Sequence, residues 1–223
     1  MTDEMLLDAA QAALRGLADP AKAAPMAAYM KHRFAFLGVQ TPLRRQATHR
    51  LIRSFAGDPL AAAGLLWRLD EREFQYLACD LLAHHTARLD AEALDGVLEL
   101  AVRKSWWDTV DSLAHVVGDL VRRERRLVAR IDQLIEAPDF WLRRIALLHQ
   151  IGWKGDTDTM RLFDYCLRQA GEREFFIRKA IGWALRDLAW HDAQAVRDFL
   201  ASAGTRLSPL SRREAARNLD RSR

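Results

Sequence analysis

The densest group of reactive side chains in the sequence is Lys104-Ser105-Trp106-Trp107-Asp108-Thr109-Val110-Asp111, which sets two tryptophans beside two carboxylates. On a helix, residues four apart share a face, so Trp107 pairs with Asp111 and Lys104 with Asp108. The second pair reads as an ordinary ion pair and gives Asp108 a structural task. Asp111 has an indole for a helical neighbour and, within its own helix, His115 as its one weakly basic candidate partner. A carboxylate beside an aromatic face can hold a positive charge that develops during a reaction. The same residues equally suit an aspartate near a helix start beside a core tryptophan.

A second group lies in Phe175–Arg186, where Lys179, Trp183 and Arg186 follow at spacings of four and three and make one face cationic and aromatic. A third, Trp141-Leu142-Arg143-Arg144, carries adjacent arginines about 100° apart on a helix, so that one of them can face a common groove. Guanidinium and aromatic groups on one surface suit a sugar-phosphate backbone, with cations against phosphates and flat rings against sugars or bases. A tryptophan core with solvated arginines fits the same spacing. The sequence has no HExxH, GxGxxG, P-loop or GxSxG, and His84-His85 reads as a surface pair; neither a metal nor a cofactor is expected.

Elements that position these groups are marked by recurrent helix starts. Asp19-Pro20, Thr41-Pro42, Asp58-Pro59 and Ser208-Pro209 each set a capping side chain before a proline. Apolar residues between these marks recur at three and four, as in Leu94, Val97, Leu98 and Ala101. The pattern predicts thirteen helices, at 3–17, 20–31, 42–55, 59–69, 71–86, 91–103, 106–123, 126–136, 140–152, 157–170, 174–189, 192–203 and 209–219, and no strand. Aromatic-led helices begin at Phe74, Trp106, Phe140 and Phe175, 32, 34 and 35 residues apart. That period belongs to helical-pair solenoids, in which neighbouring pairs bury each other's apolar faces. The expectation is all-α: one domain over 1–223, a right-handed stack of helical pairs with a ragged tail at Asp220–Arg223. An irregular helical bundle is the rival architecture.

Half of the 223 residues are apolar, enough for a continuous core. With 34 Lys and Arg against 30 Asp and Glu, the net charge of +4 is too modest to specify a partner by itself. Cys79 and Cys166 stand singly and are expected as core thiols. No apolar run is long enough to cross a membrane, and the acidic start lacks the regions of a signal peptide, so a cytoplasmic chain without a membrane partner is expected.

Tyr29-Met30-Lys31, Phe36 through Pro42, Glu71-Arg72-Glu73-Phe74-Gln75, Lys104 through Asp108 with Asp111, Glu174 through Ile177 with Gly182-Trp183, and Pro209 through Ala215 together resemble the AlkD-like family of HEAT-repeat DNA alkylation repair glycosylases. The likeness runs over roughly residues 20–219. It implies an α-solenoid of HEAT-like repeats with a concave DNA-binding surface. The implied activity is that of a monofunctional DNA-3-methyladenine/7-methylguanine glycosylase, hydrolysing the N-glycosidic bond of cationic N3- and N7-alkylated purines in duplex DNA. By motif position it implies Asp111 as the catalytic aspartate, Trp107 and Trp183 as the tryptophans that meet the lesion's sugar and backbone, and Arg144 as a backbone-binding arginine. Tyr29, Gln40, Arg45 and Arg186 fall in segments that resemble other DNA-facing positions, and Lys179 joins them as a cation on the same face as Trp183. The expected partner is alkylated double-stranded DNA, met by a monomer. Two other functions share the architecture: a non-catalytic DNA-structure binder, and a protein-binding HEAT scaffold.

Overall fold

The computed structural model describes residues 1–219; the expected ragged tail, Asp220–Arg223, lies outside the described residues. Among the described residues there are thirteen α-helices, an isolated bridge between Ala35 and Glu71, and no strand. The helices are α1 Asp3–Arg15, α2 Pro20–Tyr29, α3 Thr41–Ser54, α4 Pro59–Arg68, α5 Arg72–His84, α6 Ala93–Val102, α7 Trp107–Arg123, α8 Val128–Leu134, α9 Phe140–Leu148, α10 Thr159–Arg168, α11 Phe175–Leu188, α12 Ala193–Ala203 and α13 Pro209–Ala216. Every expected helix is present, most of them a residue or two shorter at an end.

Capping explains most of the starts. Asp19 accepts from Ala21 N, Asp58 from Leu60 N and Ala61 N, and Ser208 from Ser211 N, each satisfying backbone donors that a first turn leaves open. Thr41 departs from this pattern. It is the first residue of α3, and Gln40 is the N-cap without a side-chain cap. Its loop is secured from elsewhere. The fully buried Glu73 carboxylate accepts from Leu37 N, Gly38 N and Val39 N at 2.9–3.0 Å. Gly38, at φ +89°, passes so close to Asp19 O that no side chain fits.

The chain divides into two compact units, Met1–Leu100 and Ala101–Arg223. In the first, α1 packs on α3 and α4, and α5 packs on α3 and α4, giving two layers of paired helices. Leu6, Leu14, Leu66, Trp67, Phe74, Leu77 and Leu81 fill the space between them. In the second unit α7, α9, α11 and α13 lie side by side in chain order, with α8 against α9, α10 against α9 and α11, and α12 against α11. This is the repeat expected from the aromatic spacing: each pair leaves an apolar face that the next pair covers.

Cys79 and Cys166 are both buried thiols, and no disulfide links them. The surface reading of His84-His85 fails for one member. His84 is exposed, but His85 is buried, with Nε2 2.8 Å from Ile52 O and its ring edge-on to Phe55. Burial pushes its pKa below the ordinary histidine value.

Candidate active site

The aromatic leaders of successive repeats meet in the second unit. Trp106, at the N-cap of α7, lies edge-on to Trp141 of α9 at 5.9 Å between ring centroids and to Phe176 of α11 at 5.1 Å. Trp141 and Phe176 are 4.9 Å apart, and Phe140 touches both. The cluster aligns the first turns of three neighbouring helices. Close approach of α7 to α9 also depends on Gly118, where any Cβ would overlap the His149 carbonyl.

Beside this cluster, one turn further along, Arg144 of α9 grips Asp111 of α7. Its Nε donates to Oδ1 at 2.7 Å and Nη2 to Oδ2 at 2.9 Å, the two-pronged geometry in which guanidinium and carboxylate match best. Nη1 donates to the backbone carbonyl of Phe176. The Arg144 side chain is 5% exposed and that of Asp111 16%. Burial pushes the Asp111 carboxyl above the ordinary aspartate value, and the hydrogen bonds and charge of Arg144 pull against that rise without cancelling it. The result is a carboxylate with fixed orientation, a little access to solvent and a proton affinity higher than usual.

Arg144 is therefore not an open surface cation in the unbound chain. Its neighbour Arg143 is committed as well, to Glu172 at 2.7 Å and to the Ala137 and Pro138 carbonyls. Lys104 lies before α7 with φ +49°, so its spacing to Asp108 is not a helical one. Asp108 accepts from Thr109 N at 2.9 Å in the first turn.

Trp107 and Trp183 are both half-buried, on α7 and α11. Lys179 and Arg186, also on α11, reach Glu214 of α13 at 3.1 Å each, and Arg217 reaches the same carboxylate at 3.1 Å. Gly182 lets the two helices close, since a Cβ there would meet Ser211 and Glu214. Burial alone would raise the Glu214 carboxyl, but Lys179, Arg217 and Arg186 outweigh it and hold the group below the usual glutamate value. In the first unit Tyr29 and Gln40 are exposed, and Arg45 is exposed with Nη2 3.1 Å from Asp80.

Sequence reasoning missed both partners, Arg144 for Asp111 and Glu214 for Lys179 and Arg186, because it weighed neighbours on the same helix. The repeat carried the signal. Arg144 follows Asp111 by 33 residues and Glu214 follows Lys179 by 35, one period in each case.

A protein-family model described as "DNA alkylation repair enzyme" matches residues 10–219. A solved structure described as a predicted DNA alkylation repair enzyme from Enterococcus faecalis is similar, with a TM-score of 0.81 and 31% identity, over 90% of this chain and 95% of that one. No curated protein matches.

Proposed function

The chain belongs to the DNA alkylation repair enzyme family, and from that membership we propose that it is a monofunctional glycosylase that removes cationic N3- and N7-alkylated purines from duplex DNA. The observation that carries this reading is Asp111, a half-buried carboxylate held in one orientation by Arg144 beside an aromatic cluster.

An N7-alkylated guanine already carries positive charge, so cleavage of its bond to C1′ sends the electron pair into the ring and releases a neutral base without a general acid. The positive charge passes to the deoxyribose. A fixed carboxylate close to that sugar stabilises it electrostatically, with no reorganisation needed at the moment of reaction. Water then adds to C1′ and gives up a proton, for which Asp111 is the acceptor, leaving an abasic site and the free base. Indole faces of Trp107 and Trp183 add cation–π stabilisation of about 0.5–2 kcal/mol per contact. Arg144 acts as a positioning residue. Lys179, held by Glu214, is not offered as a Schiff-base nucleophile.

The arginine fork also favours a second reading, DNA binding without hydrolysis, in which Asp111 serves to lock Arg144. Incubating the chain with a duplex that bears one 7-methylguanine separates the two. The proposal expects free 7-methylguanine and an abasic strand that stays intact until heated in alkali. Duplex binding without base release would support the second reading.

A further inference from the structure

The side chains of α3 sort into two adjacent rows. Arg44, Thr48 and Ile52 are buried, while Arg45, His49 and Arg53, each one residue on, are exposed along the neighbouring face. With Asp80 and His84 of α5 they line a cleft of about 340 Å³ floored by Ile52, wholly within the first unit. Successive members of the exposed row stand about 6 Å apart along the helix, so the three donors span about 12 Å.

We propose that this cleft binds consecutive phosphates of one DNA strand, with Arg53 and His49 as ligands alongside Arg45. The inference rests on the DNA reading above and adds a contact surface to it.

Three observations support it. The Arg53 side chain makes no hydrogen bond or ion pair with any described residue, unlike those of Lys179, Arg186 and Arg144, which are already held by protein carboxylates. His49 donates Nδ1–H to Gln46 O at 2.9 Å, which leaves Nε2 for a ligand; a phosphate oxygen only accepts, so His49 joins the row as the doubly protonated ring. The one carboxylate of the lining, Asp80, is shared at 3.1 Å between Arg45 and the buried Arg44, whose Nε and Nη1 have no hydrogen-bond partner. Arg45 and Arg53 against Asp80 leave the lining positive by one charge before either histidine is protonated, and the buried Arg44 beside Asp80 adds a second positive charge behind it. A compact anion would be met by donors converging on a point, whereas a row with helical rise presents them in line, as a phosphodiester backbone requires.

The test is the salt dependence of binding to undamaged duplex. Each phosphate contact contributes about 0.9 to the slope of log K against log salt, so Arg53→Gln should flatten the slope by about one, and the Arg53→Gln, His49→Gln double variant by at least as much. Arg168→Gln removes the same charge from a side chain already paired with Glu136 and Asp164, and should leave the slope as in the parent. Circular dichroism establishes that each variant is folded. A parent-like slope for Arg53→Gln, in a parent that binds duplex and releases 7-methylguanine, overturns the cleft and spares the glycosylase reading. A parent without salt-dependent duplex binding overturns both.

Discussion

Asp111 and Glu214 each sit on one helix of a stacked pair and are gripped by cations from the neighbouring helix, yet they settle on opposite sides of the ordinary carboxylate range. Asp111 faces one arginine in a fork, and desolvation wins, so its carboxyl is raised. Glu214 faces Lys179, Arg186 and Arg217 together, and charge outweighs burial, so its carboxyl is lowered. What separates them is the number of cations set against the cost of burial. The difference divides labour along the repeat: Glu214 is a permanent anion that fastens α11 to α13, whereas Asp111 keeps partial solvent access and a tunable proton, as a group that acts on a reacting sugar should.

The largest effect expected from breaking this comparison is on the Asp111 side. Arg144→Met leaves a buried carboxylate with no counter-ion and should cost about 3–5 kcal/mol of unfolding free energy near pH 8, measured by urea denaturation. With the folded-state pKa raised further above the unfolded one, the penalty is present at high pH and shrinks as pH falls through the folded value, where Asp111 takes up a proton. A loss that did not change with pH would place the cost in packing rather than in charge.

A smaller effect, which also fades in acid but through loss of a favourable charge, belongs to Glu214. Glu214→Gln should cost about 1.5–3 kcal/mol near neutrality, the range for hydrogen bonds to charged groups. Because the folded pKa is depressed, the wild-type advantage is full above the unfolded glutamate value and disappears as pH falls through the folded one, so the two proteins should converge in acid. Parallel stability curves down to low pH would remove the charge argument for this cluster.

Helix count and most boundaries were legible in the sequence because their causes are local: caps such as Asp19, Asp58 and Ser208, prolines at first turns, and apolar periodicity. His85 and Thr41 were misread where a non-local partner decided the outcome. The Ile52 carbonyl draws His85 inside, and Glu73 holds the loop that leads into α3, so the helix begins without a side-chain cap. In the candidate site, Asp111 and Trp107 were visible as a helical pair, but the fork with Arg144 lies a full repeat away. No inspection of a single helix reveals it, although adding the repeat period to Asp111 reaches it.

The central claim is that Asp111 supplies a negative charge to the reacting sugar. The direct test is single-turnover release of 7-methylguanine by wild type, Asp111→Asn and Asp108→Asn, each verified as folded. Removing one preorganised electrostatic group, about 2.7–4 kcal/mol of transition-state stabilisation, predicts excision roughly 100- to 1000-fold slower for Asp111→Asn. Asp108→Asn, whose carboxylate serves the first turn of α7, should stay close to the wild-type rate. In the wild type the rate should fall on acidification at a pH above the ordinary aspartate range, because the working form is ionised and burial raises its pKa. Equal rates for wild type and Asp111→Asn would contradict the assignment.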